Sequence, residues 1–122
     1  MKQLLVVDDQ PGIRALLKEI FRREGYEVLE AADAEEGLSV CLHASHTIGL
    51  ILLDIKLPGM NGIDFLRQLR MHGGDIPVVL MTAYGEVEQL EEAKRLGVQD
   101  FFSKPFDIDE IKQVVRHYLN HR

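Results

Sequence analysis

Four short strand-like runs in this chain each deliver a residue able to do chemistry. Gln3–Val7 leads into Asp8-Asp9, residues 50–53 into Asp54, residues 78–81 into Thr82, and Asp100–Ser103 into Lys104-Pro105. Asp54 follows four apolar residues, and the turn dipeptides Pro58-Gly59 and Asn61-Gly62 come at once. It is therefore expected as an exposed acid on a surface loop with a rigid strand beneath it. In open parallel sheets ligands bind at the carboxyl ends of the strands, where the strand order reverses. If the first and third strands are neighbours, Asp8, Asp9 and Asp54 meet at one point, and three carboxylates that close require a counter-charge. A hard cation answers this, and Mg2+ suits best because it binds through one or two carboxylates and keeps positions open for water or phosphate oxygens. Lys104 offers a point charge and Thr82 a hydroxyl donor for phosphoryl oxygens. Together these groups fit metal-dependent phosphoryl transfer to a carboxylate, with Asp54 as the nucleophile.

The elements that must place these residues read clearly. After the first strand, Pro11 suits a first helical turn, and Ile13, Leu16, Leu17, Ile20 and Phe21 recur at helical spacing up to the stop at Gly25. Residues 26–31 predict a second strand, partly exposed at an edge because of Glu27 and Glu30. Asp33 with Glu36 resembles a capping box for a helix carrying Leu38, Cys41 and Leu42. Phe65, Leu66 and Leu69 mark a third helix, ended by residues 72–75; Val87, Leu90 and Ala93 mark a fourth, closed by Gly97. Asp107 with Glu110 caps a fifth, whose Ile108, Ile111, Val114, Val115 and Leu119 are expected in the core. Five strand-helix units in alternation with apolar central strands predict an α/β fold, a parallel sheet covered by helices on both faces.

Composition narrows the function classes. The 122 residues fit one domain, and 46% hydrophobic with 28% charged residues is a globular balance. A net charge of −6, with no basic run interleaved with aromatics, argues against nucleic-acid binding. No apolar run approaches membrane-spanning length and the N-terminus carries no leader pattern, so no membrane association and a cytoplasmic location are expected. The single cysteine, Cys41, is expected as a small buried thiol on a helix. The five histidines show no ligand spacing and read as surface residues.

VVDD at residues 6–9, LLDIKLPGMNG around Asp54, MTAYGE from Met81 and FFSKPF from Phe101 resemble the receiver domains of bacterial two-component response regulators, in order and over essentially the whole chain. The resemblance implies a doubly wound, five-stranded parallel sheet of order 2-1-3-4-5 with five helices, in one receiver domain over residues 1–122 with no output domain. It implies that Asp54 is the phosphoacceptor, that Thr82 and Lys104 are its catalytic partners, and that Mg2+ is held by Asp8, Asp9, Asp54 and the backbone carbonyl of Lys56. Phe101, three residues before the lysine, corresponds to a ring that turns inward as the threonine hydroxyl moves to the phosphoryl group. The Lys104-Pro105 bond is expected to be cis.

Within that family, DDQPGIRALLKEIFRREGY and KPFDIDEI are most similar to stand-alone receivers of sporulation phosphorelays. Such receivers take phosphate from a histidine kinase and hand it to a histidine phosphotransferase. By that likeness Gln10, Gly12, Ile13 and Leu16, with Lys56, Pro105 and Phe106, form a partner-docking surface beside Asp54, and a monomer is expected. The chain would catalyse its own phosphorylation without being an enzyme in the usual sense.

Plainer readings exist for each residue taken singly. Asp8-Asp9 also fits a solvated helix start, Thr82 a strand-end hydroxyl with a local bond, and Lys104 a surface lysine. Tyr84 fits either a shield for an acyl phosphate or loop packing, and Ile13, Pro105 and Phe106 fit ordinary exposed apolar residues. Three other functions compete. A single-domain effector would bind a target protein when phosphorylated. A metal-dependent phosphohydrolase would use Asp54 as nucleophile but is disfavoured by Lys56, where a second acid is expected. A flavodoxin-like cofactor binder needs a phosphate cradle after the first strand, where Asp8-Asp9 would repel phosphate.

Overall fold

Alternating side chains of the central strands divide the interior into two apolar layers. Leu5, Val7, Ile51, Leu53 and Leu80 enter one buried cluster, while Leu4, Val6, Leu50, Leu52, Val79 and Met81 enter the other. Successive residues of a strand point to opposite faces, so strands apolar at every position need cover on both sides. The computed structural model describes residues 2–44, 46–72, 74–82 and 87–120, with the side chains of 87 and 88 excepted. Its strands are β1 (Gln3–Val7), β2 (Glu27–Ala31), β3 (Ile48–Asp54), β4 (Val78–Thr82) and β5 (Asp100–Ser103). The helices are α1 (Pro11–Arg23), α2 (Ala34–Ala44), α3 (Gly62–Met71), α4 (Val87–Arg95) and α5 (Ile108–Asn120). All strand pairs are parallel, in the order β2-β1-β3-β4-β5. This is the doubly wound α/β fold expected from the sequence.

Leu17 and Phe21 of α1 and Ile111 and Val115 of α5 cover one face. Cys41 of α2, Phe65, Leu66 and Leu69 of α3 and Ala93 of α4 cover the other. Burial pushes the Cys41 thiol up to about 11, so it stays protonated at neutral pH. The edge position of β2 agrees with its exposed Glu27.

Helix ends are fixed by side chains. Asp107 Oδ1 accepts from the amides of Asp109 at 2.9 Å and Glu110 at 3.2 Å, and Asp33 Oδ1 accepts from Glu36 N at 2.8 Å. The reciprocal bond of Glu36 goes to the amide of Ala32, one residue earlier than a regular capping box places it. Asn61, read from the sequence as a turn residue, caps α3 by accepting from Asp64 N at 2.9 Å. Ile108 is a correction: it is 41% exposed, because it opens the first turn of α5 ahead of the buried stripe. Residues 73, 84 and 85 and the side chain of Val87 lie outside the described residues.

Two contacts brace opposite ends of the sheet. Arg70 at the end of α3 donates through Nε to Leu96 O at 2.9 Å, and through Nη1 to Gly74 O at 3.0 Å and Ile76 O at 2.9 Å. These carbonyls belong to the turns leading into β4 and β5. At the other end, Gly62 N donates to Ile55 O at 2.9 Å and brings α3 onto the backbone just after Asp54. A Cβ on Gly62 would stand 2.7 Å from both Asp54 O and Ile55 Cα. Backbone on both sides leaves nothing flexible to yield, so Gly62→Ala is expected to destabilise the fold by roughly 1–3 kcal/mol. Gly12→Ala, in open space on α1, should be neutral or stabilising by up to about 1 kcal/mol. Urea unfolding of the two variants checks both.

Candidate functional site

The parallel register sets the site. Val7 pairs with Leu53, Asp54 with Met81, and Thr82 with Ser103. The residues following β1 and those ending β3 and β4 therefore leave the sheet side by side, and Lys104 follows β5 at the same edge. One carboxylate oxygen from each of Asp8, Asp9 and Asp54 lies within 4.8 Å of the other two. Asp9 is exposed, while Asp8 is fully buried.

Asp54 is only 5% exposed, which corrects the expectation of an exposed surface acid. The turn that follows folds over it, and Lys56 N donates to Asp54 Oδ1 at 3.1 Å. Lys104 Nζ lies 2.9 Å from Asp8 Oδ2 and 3.2 Å from Asp54 Oδ2, and it also donates to Gln10 Oε1 at 3.3 Å. Asp8 Oδ1 accepts from Gln10 N at 2.9 Å. The Lys104–Pro105 peptide is cis, as expected.

Two buried acids share one ammonium, and the charges are unequal. Burial first, then the Asp8 charge, raise the Asp54 carboxyl above its usual range, and Lys104 and the Lys56 amide recover only part of this. For Lys104, burial pulls the ammonium down, but the hydrogen bond to Asp8 and the charges of Asp54 and Asp8 outweigh it and hold the group above its usual value. The cluster is thus short of positive charge. Its donor set, oxygen only, fits a small hard cation such as Mg2+.

Residues 4–116 match the family of response regulator receiver domains. The chain is a response-regulator receiver domain. It is 45% identical over 118 residues to sporulation initiation phosphotransferase F of Bacillus subtilis (strain 168), covering 97% of this chain and 94% of that protein. It is 39% identical over 119 residues to the regulatory protein AtoC of Escherichia coli (strain K12), covering 98% of this chain but 25% of that protein. Among solved structures, a response regulator receiver domain protein of Clostridium thermocellum superposes with a TM-score of 0.91 at 25% identity, covering 98% of this chain and 95% of that one. A chemotaxis protein of Vibrio cholerae superposes at 0.88 with 29% identity, covering 98% and 99%. The receiver's role is to accept a phosphoryl group in signalling, and receivers generally bind Mg2+ at an acidic pocket of this kind.

Thr82 of the receiver is buried, and its Oγ1 donates to Phe102 O at 3.2 Å. The hydroxyl is thus engaged with β5 and not with Asp54. Phe101 is half-buried against the α4 side, with Lys94 Nζ 5.8 Å from its ring centroid. Gln10, Gly12, Lys56 and Pro105 are exposed around the acids, and Leu16 is 42% exposed. Ile13 and Phe106 are half-buried and pack on the α1–α5 layer, so they present edges and not whole side chains. Tyr84 lies outside the described residues. Two features went unread in the sequence: the bond that Lys104 Nζ donates to Gln10 Oε1, and Arg14, whose Nη1 donates to Asp8 O at 2.7 Å. A cation one helical turn after an acid pair was the available signal.

Because Asp54 titrates above its unfolded value, folding takes up a proton there. The stability tied to that proton is present in acid and is lost as pH rises from about 4, the ordinary carboxylate value, through the folded value. Without Mg2+, Asp54→Asn is therefore expected to be more stable than the wild type at neutral pH, with the advantage shrinking as pH falls towards about 4. Urea unfolding across that range checks it. A variant less stable at neutral pH would show that the lost Lys104 contact outweighs the burial.

Proposed function

We propose that this receiver is the intermediate of a phosphorelay: it takes a phosphoryl group from a histidine kinase onto Asp54 with Mg2+ and passes it to a histidine phosphotransferase. The observation that carries the reading is the buried Asp54 carboxylate, sharing Lys104 with Asp8 and lying within reach of Asp9. The likeness to sporulation initiation phosphotransferase F over 94% of that protein's length supports the relay and a place in sporulation signalling.

In the transfer, an Asp54 oxygen forms a bond to phosphorus as the bond from phosphorus to the histidine nitrogen breaks, and the nitrogen keeps the electron pair. The return to a second histidine reverses this. Asp8, Asp9, Asp54 and the Lys56 carbonyl would hold Mg2+, which supplies charge neutralisation among the acids and the phosphoryl oxygens. Lys104 would take a phosphoryl oxygen in place of its present carboxylate contacts, and the Thr82 hydroxyl would leave Phe102 O for another. Phe101, next in β5, would respond to that move. Gln10, Gly12, Ile13, Leu16, Lys56, Pro105 and Phe106 would form the surface that meets the partner.

Incubation with acetyl phosphate and Mg2+ is expected to add one phosphoryl group by intact mass, with none added in EDTA or in Asp54→Asn. Lys104→Ala should slow the reaction about 100-fold or more, as loss of a preorganised charge does elsewhere. Transfer from the phosphorylated receiver to a histidine phosphotransferase domain then separates relay from effector. A wild type that binds Mg2+ but gains no mass, even from a histidine kinase, would end the reading.

A further inference from the structure

Arg14 belongs to α1, yet its guanidinium reaches back beneath the paired acids. Nη1 donates to the backbone carbonyl of Asp8 at 2.7 Å, Nε stands 3.6 Å from Glu30 Oε1, and the side chain is only 18% exposed. The other oxygen of Glu30 takes Lys18 Nζ at 3.0 Å. Glu30 pairs with Val6 across β2 and β1, so the brace is seated on the sheet itself. The fork of the guanidinium lets one group grip a carbonyl and a carboxylate at once, which an ammonium does less well.

The carbonyl that Arg14 holds is the oxygen of the peptide unit joining Asp8 to Asp9. That unit is planar, so a donor fixed on its oxygen limits rotation of the plane, and with it the direction in which Asp9 leaves the backbone. Asp8 has further anchors: its amide donates to Ala31 O at 3.1 Å, and its carboxylate accepts from Gln10 N and Lys104 Nζ. Asp9 is different. It is exposed, and among the described residues its carboxylate takes no hydrogen bond or ion pair. Its place within 4.8 Å of Asp8 and Asp54 is set by the backbone beneath it.

We propose that Arg14, braced by Glu30, is a positioning residue for the cation site: it fixes the Asp8–Asp9 peptide so that the Asp9 carboxylate stays within reach of an ion shared with Asp8 and Asp54. The inference rests on the Mg2+ reading of the acids given above. Charge alone would give Arg14 the opposite role. A guanidinium near the site repels Mg2+, so its removal would tighten binding if electrostatics dominated. Positioning and repulsion therefore differ in sign.

Isothermal titration with Mg2+ of the wild type, Arg14→Met, Arg14→Lys and Glu30→Gln decides between them, with amide NMR spectra to confirm each fold. Arg14→Met is expected to weaken Mg2+ binding about tenfold, the scale of losses when an outer partner of a metal ligand is removed. Arg14→Lys should recover part of the loss, and Glu30→Gln should weaken binding in the same direction by less. A folded Arg14→Met that binds Mg2+ as tightly as the wild type, or more tightly, overturns the proposal. If Arg14→Met does not fold, unchanged affinity in Glu30→Gln overturns it instead. A wild type that binds no Mg2+ overturns the metal reading as well, and so is distinct from failure of the variants alone.

Discussion

The ammonium of Lys104 between Asp8 and Asp54 is the contact on which the site depends. Two carboxylates are withdrawn from water at the edge of the sheet, and a buried charge left unpaired costs several kcal/mol. Lys104 arrives from β5, Asp8 from β1 and Asp54 from β3, so the pairing is possible only if those three strands end at the same level. The parallel register arranges this, and the two apolar layers hold the register. Shifting one strand by a single residue would exchange the side chains that it presents to the two layers and carry its acid or lysine away from the others.

The same contact is incomplete by design of its charges. One cation serves two buried acids, with a third acid exposed beside them, which leaves the cluster receptive to a further cation, while the acids alone repel the anionic oxygens of a phosphoryl group. Groups tuned for chemistry are commonly arranged at some cost to stability. Here the cost resides in Asp54, whose burial and whose neighbour Asp8 act in the same direction.

Much of this was legible in the sequence because the signals were local. Apolar runs gave the strands, helical stripes such as Phe65, Leu66 and Leu69 gave the faces, and polar residues at strand ends gave Asp8, Asp9, Asp54, Thr82 and Lys104. The strand order came from family likeness, since periodicity says nothing about which strands are neighbours. What stayed hidden depends on tertiary placement. The burial of Asp54 follows from a turn closing over it, the bond from Thr82 to Phe102 O from strand pairing, and the grip of Arg14 on Asp8 O from the way α1 lies on the sheet. Ile108 misled for a simpler reason: an apolar residue in a first helical turn satisfies the stripe while facing water.

Arg70 has a mechanical consequence. Its guanidinium ties the end of α3 to Leu96 O, just beyond α4, and to the carbonyls of Gly74 and Ile76 ahead of β4. These bonds lie at the end of the sheet remote from the acids. While they persist, the C-terminal end of α4 is pinned, and a displacement begun near Asp54 would tend to swing the helix about that end. A small movement beside the acids would then be larger at the N-terminal end of α4 than at the pin, as in a lever with its fulcrum built into the far side of the molecule.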